Sequence, residues 1–311
     1  MMDTGVTGEP FVHPALFYRG EQEYLAGTVP FVWEAVASGE PVAVAVPGPN
    51  LEVLRGALGG DAARVRFLDM TQVGRNPGRI IPGVLRAFAD THPGKRVRII
   101  GEPIWPGRSD MEYPACAQHE ALINAAFQGR DVTILCPYDA EALDERVLAD
   151  AHATHPVVIH EGRQWPSPAY DADRVVAQYN QPLPPAPAKA AVYAFDTGRL
   201  AAARHFATEH AGRCGLTGAR LEDLALAVAE LTTNSVVHGG GSGVLRLWDE
   251  DGQVVCEVRD GGHVRDPLAG RRPPARDQRG GRGLLLVNHL ADLVRTHTGP
   301  EGTVIRFYLG H

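Results

Sequence analysis

The chain has 311 residues, of which 44% are hydrophobic and 22% charged, and its formal net charge at pH 7 is −7. This length and composition are typical of a soluble globular protein with two domains, and the negative balance argues against a surface that coats nucleic acid. No apolar run reaches the ~18 residues that span a bilayer, and residues 1–10 lack the basic and apolar segments of a signal peptide. The four cysteines show no metal-ligand spacing and suit a reducing compartment. We therefore expect a cytoplasmic protein.

The first half of the chain alternates between strand and helix patterns. We predict strands at 41–46, 65–68, 97–100, 132–136 and 157–160, with helices at 21–38, 51–58, 82–89, 111–128 and 141–151. Such alternation implies an α/β domain with a mainly parallel sheet and right-handed crossovers. The turn at 47–50 stands where a RecA-like fold has its phosphate loop, but it lacks the Lys and the Ser or Thr of that loop. We predict that this domain does not hydrolyse nucleotide.

Three short motifs of this half remain to be explained, at 101–105, 135–139 and 154–156. The first two lie at or just past strand ends, where open α/β sheets usually bind ligands, although ordinary turns explain all three equally well. Together with the segment 13–18, they resemble the MEDS sensory domain over about 13–161. The resemblance implies a RecA-like fold with a degenerate phosphate loop and a small-molecule ligand. We assign residues 11–161 to this domain.

Residues 162–190 are predicted to be a linker because they are rich in proline. The part from 181 to 190 should be an extended, fairly stiff spacer. A second domain, 191–311, then opens with a strand near 192–195. Asp196 or Thr197 can cap the helix that follows at about 198–211.

A predicted helix at 221–237 carries the most informative polar residues of the chain. Glu230, Asn234 and His238 are four residues apart and therefore share one helix face. Glycines at 239–241 end the helix. Taken alone, the polar residues could be an ordinary solvated face. A second face is an apolar stripe of Leu221, Leu224, Val228 and Leu231.

Three glycine-containing motifs follow in order. Asp260-Gly261-Gly262 comes just after a strand at 254–258, Gly281-Arg282-Gly283-Leu284 opens an apolar helix, and Gly302-Thr303 leads a strand at 304–309. With the helix at 221–237, they resemble the GHKL, or Bergerat-fold, ATP-binding domains. The greatest similarity is to the serine-kinase anti-sigma factors of bacteria, over about 191–311. The resemblance implies an α+β sandwich that binds ATP and Mg²⁺.

The resemblance also implies a role for each motif. Asn234 would complete the shell of Mg²⁺, and Glu230, near the γ-phosphate, would accept the proton of an attacking hydroxyl. Asp260 would accept the amino hydrogen of adenine, and His238 could reach a phosphate or be structural. Gly262 would let the base approach the backbone, and Thr303 would support the same contact. The motif Gly281, Arg282, Gly283 and Leu284 would hold phosphate at a helix start, and a short lid before it carries Arg271, Arg272, Arg276 and Arg279.

These observations favour a cytoplasmic regulator in which a sensory domain controls an ATP-binding domain. The resemblance implies a protein serine/threonine kinase that phosphorylates an anti-anti-sigma (STAS) partner, sequesters a sigma factor, or does both. One alternative is an ATP-responsive binding switch without catalysis. Another is a sensor histidine kinase, because the segment 119–124 partly resembles a phospho-acceptor motif, but that segment lies far upstream of the linker. Family likeness allows a homodimer, and no direct nucleic-acid or membrane partner is expected.

Overall fold

The computed structural model describes residues 10–273 and 281–311. The chain divides into two compact units. The first consists of Met1–Gly74 and Gly83–Val176, and the second of Arg75–Pro82 and Ala177–His311.

The first unit contains an eight-stranded sheet with the order β4-β3-β5-β6-β2-β7-β8, and β1 pairs with β6 off this path. The neighbours are parallel except for β7 and β8, which are antiparallel. This is the mainly parallel α/β sheet that the alternation of patterns predicts. The strands are β1 Phe11–Val12, β2 Pro14–Tyr18, β3 Val42–Val46, β4 Val65–Asp69, β5 Val97–Gly101, β6 Val132–Asp139, β7 Val157–His160 and β8 Arg163–Pro166. The helices are α1 Gly20–Ser38, α2 Gly48–Leu58, α3 Met70–Val73, α4 Ala87–Asp90, α5 Tyr113–Phe127 and α6 Glu145–Thr154, with α7 Ala172–Gln178 following.

The central strands are apolar throughout because helices cover both faces of the sheet. All five residues of β3 are buried, as are those of β2. Helix α1 packs so closely on the sheet that a Cβ at Gly27 would lie 2.6 Å from the side chain of Leu16. This helix ends at Gly39, whose φ of 71° favours glycine.

The first turn of α2, which follows β3, contains Asn50, a half-buried residue that contacts the buried Glu102 just after β5. The Asn50 amide donates hydrogen bonds of 3.0 and 2.9 Å to the two carboxylate oxygens of Glu102, which is only 2% exposed. Burial raises the pKa of Glu102 to about 8. A carboxyl group beside the start of α2 offers no attraction to phosphate, in keeping with the prediction that this domain does not hydrolyse nucleotide.

Three predicted elements differ from the structure. The helix expected at 82–89 is a π-helical segment, Ile81–Arg86, followed by α4. The helix expected at 141–151 begins only at Glu145, because Asp139 accepts the amides of Glu141 and Ala142 in a turn. Residues 162–180 hold β8 and α7 rather than an irregular segment, whereas 181–187 have no regular structure, as expected of a spacer.

The second unit contains a five-stranded antiparallel sheet with the order β12-β13-β11-β10-β9, consistent with a Bergerat fold. One of its core clusters lies between the sheet and the helices and includes Leu224, Leu247 and Phe307. Two strands, β10 and β12, were not predicted. The strands are β9 Ala191–Asp196, β10 Ser242–Glu250, β11 Gln253–Asp260, β12 Leu293–Gly299 and β13 Gly302–Gly310. The helices are α8 Leu200–Arg213, α9 Gly218–His238 and α10 Gly283–Leu290.

Within the described residues, every helix is too short or too polar to cross a membrane.

Candidate nucleotide-binding site

Helix α9 supplies the first wall of the site. Leu224, Val228 and Leu231 are buried in the core, as the apolar stripe predicts. Glu230 and Asn234 are half-buried on another face. The helix ends where the amide of Gly239 donates a 2.8 Å hydrogen bond to the carbonyl of Ser235.

Asp260, the last residue of β11, is held rigidly beside the end of α9. The hydroxyl of Ser235 donates a 2.6 Å hydrogen bond to Oδ2 of Asp260, and the amide of Gly262 donates one of 2.8 Å to Oδ1. A Cβ at Gly239 would lie 2.4 Å from Cγ of Asp260, so only glycine allows this approach. Both carboxylate oxygens keep further acceptor capacity. The carboxylate is therefore oriented and can still accept a hydrogen bond from a ligand.

Strand β13 also contributes to the site beside Asp260. Thr303 pairs with Asp260 in the register of β11 and β13, and its hydroxyl donates a 2.8 Å hydrogen bond to the carbonyl of Gly262. Gly302 has a φ of 111°, and a Cβ there would lie 2.0 Å from the carbonyl oxygen of Asp260. The structure thus brings together Asp260, Gly262 and Thr303.

The start of α10 meets the polar face of α9. A Cβ at Gly283 would lie 2.5 Å from Oε2 of Glu230 and 3.1 Å from Nδ2 of Asn234. The backbone N–H groups of the first turn of α10 have no partner within the helix, and such groups favour an anion. Gly283, Glu230 and Asn234 therefore form a second group of converging residues.

The other residues of this predicted motif lie around that contact. Gly281, with a φ of 80°, and Arg282 are exposed, and Arg282 makes no side-chain cap for α10. Leu284 is half-buried and packs on Gly270, where a Cβ would lie 2.6 Å from that of Leu284.

The positions of His238 and of the described lid arginines do not assign them a role in the site. The side chain of His238 is exposed, and only its carbonyl oxygen lies beside Gly262. In the lid, Arg272 forms a 2.7 Å ion pair with Asp266, and Arg271 is half-buried. Arg276 and Arg279 lie outside the described residues.

Sequence reasoning missed three polar residues that support the site. Ser235 orients Asp260 and follows Asn234 directly in the chain, so its position was a usable signal. Thr298 lies 3.0 Å from the Thr303 hydroxyl, oxygen to oxygen. Asn180 exchanges two hydrogen bonds with the backbone of Thr298, at 2.8 and 3.0 Å. Nothing local marks Asn180, because it stands in the proline-rich segment far from its partner.

The residues present fit a nucleotide and its metal. Asn234 and Glu230 offer the oxygen ligands that Mg²⁺ prefers. Three glycines, at positions 239, 262 and 283, allow the close approach that brings these parts of the site together, because a Cβ there would meet neighbouring protein atoms at 2.6 Å or less. The carboxylate of Asp260 suits the amino group of adenine and would repel the carbonyl oxygen that guanine has at that position.

Comparison with protein families gives two matches. Residues 12–156 match the MEDS family, described as "MEthanogen/methylotroph, DcmR Sensory domain". Residues 193–309 match the family described as "Histidine kinase-like ATPase domain". A comparison with curated proteins found no match to the chain. The chain therefore contains a MEDS sensory domain over residues 12–156 and a histidine kinase-like ATPase domain of the GHKL type over residues 193–309.

Proposed function

We propose that this protein is an anti-sigma regulator whose C-terminal domain, 191–311, binds Mg-ATP and phosphorylates a serine or threonine of a STAS-domain partner. The same domain sequesters a sigma factor, and the sensory domain, 11–161, controls it through the linker 162–190. The observation that carries the proposal is the double convergence on α9. Glu230 and Asn234 meet the start of α10, and Ser235, the residue after Asn234, fixes Asp260 beside the C-terminal end of α9.

Adenine would lie beside the C-terminal end of α9, and the phosphates one to two turns earlier along this helix, beside Asn234 and Glu230. Asp260 and Gly262 receive adenine, with Thr303 behind them, which sets the triphosphate along the helix toward Asn234. Asn234 would hold Mg²⁺, and this ion neutralises charge on the triphosphate when it is bound. Gly281, Arg282, Gly283 and Leu284 would contribute backbone N–H groups and one positive charge to the phosphates.

Glu230 is the residue proposed to act in the transfer itself. The hydroxyl oxygen of the partner attacks the γ-phosphorus, the bond to the β-phosphate oxygen breaks, and the hydroxyl proton passes to the Glu230 carboxylate. A positioned base typically contributes 10²- to 10⁴-fold in rate, so roughly 3–5 kcal/mol of barrier rests on this residue.

One contact favours a second candidate function, an ATP-responsive switch without useful transfer. Gly283 lies directly against Glu230, so a phosphate held between the two requires α10 to shift. The lid residue Gly270 packs on Leu284 in α10 and would have to respond to that shift. Nucleotide binding would then change the surface offered to a sigma factor, with or without phosphoryl transfer.

Replacing Glu230 by Gln separates the two functions. With γ-labelled ATP and a STAS-domain protein as acceptor, the kinase proposal predicts at least a ~100-fold loss of transfer in Glu230→Gln, with ATP affinity nearly unchanged. Glu222→Gln is the matched control, because Glu222 is an exposed acid of the same helix, about two turns earlier. Equal transfer by wild type and Glu230→Gln would remove the catalytic role. ATP binding without transfer by the wild type would favour the switch.

A sensor histidine kinase would instead label this chain itself. His119 is buried, being 1% exposed on α5, which makes it a poor phospho-acceptor. Acid-labile phosphate on the chain after incubation with ATP would contradict the proposal.

A further inference from the structure

Four side chains that belong to different segments of the sensory domain meet in its interior. His13 lies between β1 and β2, Glu120 on α5, Cys136 on β6 and His155 just after α6. All four are at most 1% exposed, and one possible ligand atom from each lies within 4.8 Å of the others. The cluster lies apart in the chain from every residue of the proposed ATP site, so that function does not account for it.

The hydrogen bonds around the two histidines determine which ring nitrogens point into the cluster. Nδ1 of His155 lies 2.9 Å from the carbonyl oxygen of Ala151, which can only accept, so Nδ1 carries the hydrogen. Nδ1 of His13 lies 3.2 Å from Oδ1 of Asn124. The amide nitrogen of Asn124 is already oriented by the carbonyl oxygens of Ala121 and Thr154, so Oδ1 is the acceptor. In the neutral rings, Nε2 of each histidine therefore presents a lone pair to the cluster.

The cluster is consequently made of electron-pair donors with too few hydrogen atoms between them. Nε2 of His155 and Oε2 of Glu120 are 3.0 Å apart, yet they lack the alignment of a hydrogen bond. Within the described part of the chain, neither oxygen of Glu120 meets the geometry of a hydrogen bond, although Nε2 of His13 and Nε2 of His155 lie 3.6 and 3.0 Å from Oε2. A buried carboxylate in that position is costly unless a cation compensates it.

We propose that His13, Glu120, Cys136 and His155 bind a zinc ion. Two of the separations match the spacing of ligand atoms around this metal. Nε2 of His13 is 3.6 Å from Oε2 of Glu120 and 3.4 Å from Sγ of Cys136. Tetrahedral zinc, with bonds of about 2.0–2.3 Å, holds its ligand atoms roughly 3.2–3.7 Å apart.

The charges and the donor types also agree with zinc. Cys136 binds as the thiolate and releases its proton to solvent, so one thiolate and one carboxylate balance the two positive charges of the ion. A mixture of sulfur, imidazole and carboxylate ligands excludes Mg²⁺ and Ca²⁺, which prefer oxygen alone. Asn124 and the carbonyl of Ala151 supply the outer hydrogen bonds that metal-bound histidines usually make.

The bound ion would join four chain segments at the centre of the first sheet, since β6 lies between β5 and β2. Four protein ligands make a closed site, which stabilises the fold rather than activating water. Loss of the metal should therefore destabilise the sensory domain.

The test uses the full chain purified without chelator, with metal measured by elemental analysis. We expect about one zinc per chain in the wild type and in Cys116→Ala, and at least a tenfold loss in Cys136→Ala and His155→Ala. Cys116→Ala is the matched control, because Cys116 is a fully buried cysteine of the same domain outside the cluster. Zinc retained in full by soluble Cys136→Ala would place the ion elsewhere and overturn the proposal.

A second measurement does not depend on the variants folding. After the wild type is treated with chelator, added Co²⁺ should produce a thiolate-to-cobalt charge-transfer band, and added Zn²⁺ should abolish it and raise the melting temperature. A chain that gives no such band and no thermal shift with either ion would contain only a protonated buried cluster, which would refute the zinc site.

Discussion

Gly283→Ala tests the contact between α9 and α10 most sharply. The new Cβ would lie 2.5 Å from Oε2 of Glu230, about 0.9 Å short of ordinary contact. The end of the Glu230 side chain is flexible and can swing away, so the fold should lose less than about 1 kcal/mol. A displacement of about 1 Å in a reacting group can cost ~100-fold in rate, or about 2.7 kcal/mol of barrier. We therefore expect transfer to fall about 100-fold while the melting temperature barely changes.

The assay is single-turnover transfer from γ-labelled ATP to a STAS-domain acceptor, with thermal melting of each variant. Gly212→Ala is the matched control, since Gly212 lies in α8 with open space at its Cβ position. That change should leave transfer intact and stabilise the domain by about 0.5–1 kcal/mol. Wild-type transfer by Gly283→Ala would refute the placement of Glu230 as the base beside the start of α10.

Three further predictions concern other residues. Asp260→Asn should weaken ATP binding about 10- to 100-fold in calorimetry by removing a charged acceptor. Asp251→Asn, in an exposed turn, is the control that should bind ATP normally. Equal ATP affinities of Asp260→Asn and the wild type would exclude the adenine contact. The pKa of Glu102 is raised from 4.5 to about 8, so the folded state holds a proton that the unfolded state loses, and stability should fall as pH rises between these values. Glu102→Gln should flatten that dependence in urea unfolding series, by an amount on the order of 5 kcal/mol at most, and parallel pH profiles would contradict the assignment. Asn124→Ala should weaken zinc binding about 10- to 100-fold in competition with a chelator, whereas undiminished affinity would show that Asn124 does not orient His13.

The elements that could be predicted from the sequence have strong local patterns. Helix α9 combines an apolar stripe with glycines at its end, and β3 is an uninterrupted apolar run. The unpredicted strand β10 has only three buried residues in nine, and most of β12 is half-buried and polar. Neither strand carries a distinct apolar alternation. Pairing within the sheet, rather than local preference, determines their conformation, so the sequence alone does not reveal them.

The nucleotide motifs were recognisable because each combines a polar residue with glycines at fixed spacing. The support from Asn180 was not recognisable, since Asn180 meets Thr298 only after the proline-rich segment folds back. The buried cluster of the sensory domain shows the same limit. His13 and Cys136 stand in motifs visible in the sequence, but the parallel order of β2 and β6 is what places them together. No sequence spacing encodes such a convergence.

Calorimetric titration of the full chain with Mg-ATP and with Mg-GTP tests most directly whether the C-terminal domain binds adenine nucleotide through Asp260 and Asn234. We predict binding of about one ATP per chain, at least tenfold weaker binding of GTP, and loss of magnesium-dependent binding in Asn234→Ala. No heat of binding with Mg-ATP, or equal affinities for the two nucleotides, would contradict this mode of binding.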